Sequence, residues 1–306
     1  MVRRLRRELL ALAWPLLLLP LLLAACANLP TPPSTSPPDW QARLGGDTLV
    51  LLGELHDRPA LHAARLAVLR TALEAGWRPA IVMEQFDTDR QSAIDQARRE
   101  RPADPDHLLE RLHDSGWDWQ FYRPVVALAY RYDLPLVAGN LARTQASRLV
   151  RTDTREVFEP ARHAALRLDK PIDPAWRAAQ QRVIEVGHCG ALPARLLPGM
   201  ARAQFARDAV MAELLRRHGT RGAVLLAGNG HVRRDLGVPR WLDDLPAGRV
   251  FAVGFIEPGA ADGAAFDAVV VQADTRPAAQ RQDPCAGLVP ERFERRPQPD
   301  AQPRLQ

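Results

Sequence analysis

The chain has 306 residues, with 41 Lys and Arg against 36 Asp and Glu and a formal net charge of +5. Removing residues 1–25, which hold four arginines and one glutamate, lowers that charge to +2, and Lys170 is the only lysine. Scattered arginine in a chain rich in Ala, Leu and Pro reads as compositional bias, which gives no basis for a nucleic-acid partner.

Arg3, Arg4, Arg6 and Arg7 precede an apolar stretch from Leu9 to Leu23, the pattern of an export signal that stays outside the fold. The stretch is short against the ~20 residues of a membrane-spanning helix. It ends in Leu23-Ala-Ala-Cys26, which matches the lipobox of bacterial lipoproteins. Cys26 is therefore expected to become a lipidated amino terminus once residues 1–25 are removed. Ala27 in place of an aspartate favours the outer membrane of a Gram-negative cell envelope. Residues 26–40 read as a Pro-rich tether, 41–275 as an α/β domain and 276–306 as a Pro/Gln/Arg-rich tail.

Within that domain, unbroken apolar runs stop abruptly at polar residues. Thr48–Leu52 runs into Gly53, Glu54, His56 and Asp57; the run from Pro79 ends at Glu84; the run from Leu134 ends at Asn140; and Gly222–Ala227 runs into Gly228-Asn-Gly-His231. Two further strands are expected at Arg249–Phe255 and Phe266–Ala273. Runs of this kind mark parallel strands buried on both faces, and open α/β sheets carry their sites beyond the strand carboxyl ends. One shared polar site is the economical reading.

Helical patterns lie between the strands. Pro59 opens a helix with Leu66, Leu69 and Leu73 on one stripe and Gly76 at its end, and His62 shares that stripe one turn before Leu66. A polar helical region spans Thr88 to Ser115. The aromatic segment Trp117–Val126 leads into a helix before the Leu134 strand, so Tyr122 and the tryptophans can wall the site. Residues 141–218 show no strand and read as a helical lobe, inserted in or capping the sheet, with His188 and Cys189 in a Gly-flanked loop. The predicted fold is thus α/β, a mostly parallel central sheet flanked by helices. With Cys26 assigned to lipid, Cys189 and Cys285 remain as an even pair in an exported protein, the arithmetic of a disulfide.

The chain has no Gly-x-Ser-x-Gly elbow, no Walker-type loop and no Gly-x-Gly-x-x-Gly after a strand, which removes the serine-hydrolase and nucleotide readings. The remaining chemistry is histidine plus glutamate, suited to a transition metal or a haem pocket.

Gly53-Glu-x-His-Asp57, Met83-Glu-Gln-Phe86, the Trp117–Pro124 segment, Asn140, His188-Cys-Gly190, Ala203-Gln-x-x-Arg-Asp-Ala-x-Met-Ala212 and Gly228-Asn-Gly-His-Val232 together resemble the ChaN family of haem-binding lipoproteins. That family shares a superfamily with the Tiki/TraB proteins and is related to erythromycin-esterase-like enzymes. The resemblance implies haem binding in haem or iron uptake, with Tyr122, His56, His62, His188, His231 and Asn140 as candidate cofactor-binding residues. A tyrosine or a histidine would ligate the iron, a phenolate suiting ferric haem and Tyr122 being favoured among Tyr122, Tyr130 and Tyr132, and rim arginines would pair with the propionates. The implied partners are haem, the membrane through the lipid anchor, an outer-membrane haem receptor and a second copy of the chain. The alternative it implies is a metal-dependent hydrolase, in which His56, His231 and Glu84 hold a divalent metal ion and Glu54 or Glu84 activates water.

Overall fold

The computed structural model describes residues 39–112, 116–281, 283, 285, 286 and 288. The leader, Cys26 and nearly all of the tether lie outside the described residues, as does most of the tail. Among the described residues no helix is long and apolar enough to cross a membrane.

Six strands form one parallel sheet: β1 (Leu49–Leu52), β2 (Ala80–Asp87), β3 (Leu136–Asn140), β4 (Ala223–Leu226), β5 (Val250–Ile256) and β6 (Ala268–Val271). Their order is β3-β2-β4-β1-β5-β6. All six occur where the apolar runs place them, because side chains alternate faces along a strand and both faces are covered. Val50, Leu52, Ile81, Met83, Val224 and Leu226 enter one core. Leu49, Leu51, Val82, Leu225 and Ala252 enter the other.

The first core is closed by α1 (Pro59–Glu74), α2 (Gln91–Glu100), α3 (Pro105–Leu112) and α4 (Trp119–Arg131). Pro59 stands at the first helical position of α1, where a missing N–H costs nothing. Asp118 caps α4 by accepting from the Gln120 amide. The second core lies under α5 (Arg143–Leu149), α6 (Thr154–Val157), α7 (Pro160–Ala165), α8 (Pro174–Gly187) and α9 (Leu197–His218), with the short α10 (Asn229–Val232) after β4. The helical stretch expected over 141–218 is thus a layer on one sheet face, and α9 is the part that packs directly on β2, β3 and β4.

Edge strand β3 is protected. Gln91 donates to the Leu136 carbonyl at 3.1 Å and accepts from the Ala138 amide at 2.8 Å, completing two bonds that a neighbouring strand would otherwise supply. From β1 the chain moves to β2 and β3 on one side, then returns through β4 and crosses to β5 and β6. The carboxyl ends of β1 and β4 therefore flank the point where the strand order reverses, the place where open α/β sheets hold ligands.

Candidate functional site

The site starts at the end of β1. The Gly53 amide makes a last ladder bond to Val253, and Glu54 then turns inward to 2 % exposure. Glycine is required at 53, because an added Cβ would stand 2.0 Å from Asn229 Oδ1. That amide is committed: Asn229 Nδ2 donates to the Phe255 carbonyl at 2.7 Å and Oδ1 accepts from the Phe255 amide at 3.2 Å. Asn229 thereby bridges the β4 loop to β5 over the end of β1.

Glu54 is the hub of a buried network. Its carboxylate accepts from His56 Nδ1 at 2.7 Å, from the Tyr122 hydroxyl at 2.6 Å, from Gln85 Nε2 at 3.4 Å and from the Arg65 guanidinium. Burial opposes its charge, but Arg65 and the bond from His56 outweigh it and hold the carboxyl well below the usual range. Burial also opposes a charge on His56, yet the bond to Glu54 and the nearby Glu84 raise its pKa. His62 lies one turn into α1 and faces inward as expected. Its Nε2 donates to the His56 carbonyl at 3.1 Å and its Nδ1 accepts from Arg65 at 3.1 Å, while burial and Arg65 lower its pKa.

A second buried cluster adjoins the first. Glu84, at the end of β2, accepts from the Gly228 amide at 2.8 Å and lies 3.4 Å from His231 Nε2. His231 Nδ1 donates to Asp208 of α9 at 2.5 Å. Burial disfavours an imidazolium, but two flanking carboxylates reverse the sign and raise His231 to about 10. Burial likewise works against the Glu84 charge, and His231 turns this round, lowering it to about 2. Asp208 is pushed up to about 6 by burial despite His231. The clusters meet at Gly228, where an added Cβ would lie 3.1 Å from His56 Nε2 and 3.8 Å from Glu84 Oε2.

Beside them, beyond the ends of β2 and β3, is a crevice of about 420 Å³. Phe86, Leu112 and Trp117 supply apolar wall, Arg90, Arg143 and Arg207 supply basic groups, and Asp87 and Asp89 supply carboxylates. Arg207 donates to Asn140 Oδ1 at 2.8 Å, which puts Asn140 in the crevice as expected. Trp117 stands edge-on to His56 with ring centres 5.0 Å apart, linking the crevice to the Glu54 network. The apolar wall can meet the face of a flat ligand and the three guanidinium groups can pair with carboxylates on it, in competition with Asp87 and Asp89.

Three expectations need correction. Tyr122 is fully buried, its hydroxyl donates to Glu54, and burial with that neighbouring carboxylate pushes its pKa far up, so it does not offer a phenolate to iron. His188 sits at the carboxyl-terminal cap of α8, where its Nδ1 donates to the Ile184 carbonyl at 2.7 Å, beside the disulfide that joins Cys189 to Cys285. His56, His231 and Glu84 do converge, but His231 is engaged through both ring nitrogens. No group of three or more His, Cys, Asp or Glu among the described residues is arranged to hold a metal ion.

The network also contains Arg65, which no motif singled out, and Gln85, Asp208 and Asn229, which lie within the motifs of the resemblance but were assigned no role there. Arg65 and Asp208 carry a readable signal. Each occupies a buried helical stripe, with Leu61, Leu69 and Ala72 in α1 and with Ala201, Phe205, Ala212 and Leu215 in α9, where an unpaired charge would be prohibitive.

The fold is shared with ChaN of Campylobacter jejuni, in a structure described as showing cofacial haem binding, at a TM-score of 0.61 and 19% identity over 75% of this chain and 89% of that one. A mutant of the erythromycin esterase EreC in its open conformation aligns at a TM-score of 0.43 and 15% identity, covering 72% of each chain. No curated protein sequence matches. Residues 40–242 match the family described as haem-binding uptake, Tiki superfamily, ChaN, and the chain belongs to that family.

Proposed function

We propose that this protein binds haem in the crevice at the carboxyl edge of its sheet and serves haem or iron uptake as an outer-membrane-anchored lipoprotein. The observation that carries the binding reading is the crevice itself. Trp117, Phe86 and Leu112 offer apolar contact to a porphyrin face, and Arg90, Arg143 and Arg207 offer charge to its propionates, in a chain whose family is described as haem-binding. The similar fold of C. jejuni ChaN, described as binding haem cofacially, is consistent with the same ligand. The anchor rests on the Leu23–Cys26 lipobox and the tether after it. Exchange with an outer-membrane haem receptor would follow from that location.

Titration of the purified protein with ferric haem, with no divalent metal added, should bring up a saturable Soret band. The hydrolase reading is favoured instead if no saturable signal develops and the protein carries a stoichiometric divalent ion that His231→Ala loses. For the anchor, Cys26→Ser should move the protein from membranes to the soluble fraction; unchanged partitioning would refute lipidation.

A further inference from the structure

We infer that the bond between Cys189 and Cys285 is a redox-operated strap on the site-bearing end of the sheet. Closed, it holds the opening turns of α9 against the site; cleaved by an external dithiol, it lets them loosen and the bound ligand leave. The inference rests on the haem reading above for the ligand and adds a control on its release.

The strap has two fixed ends. Just past β6, the Asp274 side chain is 5% exposed and meets Arg276 at 2.8 Å, Arg58 at 3.7 Å and Arg281 at 3.8 Å. Arg58 also donates to Glu257, the residue after β5, at 3.0 Å, so this end is fastened to the loop that carries Glu54 and His56. The other end is covalent. Cys189 comes directly after the cap of α8, and only residues 190–196 separate it from α9. In α9, Gln204 meets His231 at 3.1 Å, Asp208 accepts from His231 at 2.5 Å and Arg207 donates to Asn140 at 2.8 Å. A constraint at Cys189 therefore passes over one short connection to three residues through which the helical layer reaches the site.

Position distinguishes this bond from a buried staple. Cys189 and Cys285 are both exposed, so a thiolate can reach either sulfur, and exposed disulfides are the readily reduced ones. Cys189 also has φ 55°, in the left-handed region that residues with a Cβ seldom adopt, and Gly190 follows at φ 68°. Such a backbone persists only where its surroundings hold it. Once the bond opens, the connection to α9 can relax while Asp274 keeps the near end in place.

The reductant is a dithiol. One of its thiolates attacks a strap sulfur and forms a mixed disulfide, releasing the other cysteine as a thiolate that takes up a proton. Its second thiol then closes on the first, so the reagent leaves as a disulfide and Cys189 and Cys285 remain as two thiols, having gained two electrons and two protons.

The test compares the full chain oxidised, the full chain reduced with dithiothreitol that is then removed under nitrogen, and the Cys189→Ser/Cys285→Ser double variant. Hydrogen exchange without ligand reads the strap: reduction should speed exchange over 186–208 and leave β1, β2 and β4 protected, which separates local loosening from unfolding. Ferric haem should bind the oxidised protein about tenfold more tightly than the reduced one, within the usual range of coupling between sites. The double variant, which has no thiol at the strap to offer iron, should match the reduced protein and ignore dithiothreitol. By reciprocity, saturating haem should lower the reduction midpoint of the bond by about 30 mV. Equal haem affinity in the two redox states overturns the inference and leaves the haem reading standing, as does unchanged exchange over 186–208. Absence of saturable haem binding by the oxidised protein overturns both.

Discussion

Asp208 has 0 % of its surface exposed and sits on a stripe of α9 with Ala201, Phe205, Ala212 and Leu215, so its charge depends on its pairing with His231. Breaking such a pair by removing one partner strands a buried charge, at a cost of about 3–5 kcal/mol. The pH dependence follows from the shifts. His231 is raised from 6.5 to about 10, so its contribution is complete below about pH 6.5 and disappears as pH rises through about 10. Glu84 is lowered from 4.5 to about 2, so its contribution is present above about pH 4.5 and fades as pH falls toward 2. Asp208 acts in the opposite sense: burial raises it from 3.8 to about 6, so what its protonated form contributes below about pH 3.8 is lost as pH rises to about 6. Denaturant unfolding should therefore show stability falling on the acid side below about pH 4.5 and on the alkaline side above about pH 6.5, and His231→Gln should flatten the alkaline limb. An alkaline limb of equal size in that variant would locate the titrating group elsewhere. At this scale the sequence was legible where polar residues interrupt apolar strands, as Glu54, His56, Glu84, Asn140 and His231 do. It was not legible for Tyr122, because whether a phenol faces a cleft or a buried carboxylate depends on partners 68 residues away.

Strands β1 to β5 were readable from their residues because each is buried on both faces, which makes the apolar run continuous and its end abrupt, whereas β6 is a partly exposed edge. Their order was not readable, since β1 pairs with β4 and β5 through contacts that no local pattern encodes. That order is what makes the site: β4 lies beside β1, so Gly228 comes against His56, and Asn229 reaches across Gly53 to pair with Phe255. The close approach of these ends depends on the missing side chain at 53. Gly53→Ala must push Asn229 out of its paired position, a strain of about 1–3 kcal/mol, and it should weaken haem binding by shifting Glu54 next door. Urea unfolding and haem titration of the variant measure the two effects. A midpoint equal to that of wild type would mean that the Asn229 bridge yields without cost.

Across the whole molecule, the described part of the tail is tied to the site-bearing end of the sheet. Asp274, just past β6, pairs with Arg276 at 2.8 Å and lies 3.7 Å from Arg58, two residues after His56. Farther along, Cys285 is bonded to Cys189, which follows α8, with Cα atoms 5.7 Å apart at a sequence separation of 96. The helix α8 packs on α9, and α9 carries Asp208 and Arg207 into the site from the opposite sheet face to α1. The bond therefore joins the strand edge at β6 to the helical layer that completes the site. In the chain-entropy account, closing so long a loop removes freedom from the unfolded chain and stabilises the fold by about 2–4 kcal/mol. Cys189→Ser and Cys285→Ser should each lower stability by that amount, and the double variant should lower it no further, because either change alone removes the whole cross-link. Unreduced mass spectrometry checks that the bond is present in wild type, and urea unfolding of the three variants checks the energy. Additive losses in the double variant would show that the two sulfurs contribute through their separate surroundings and not through a shared bond.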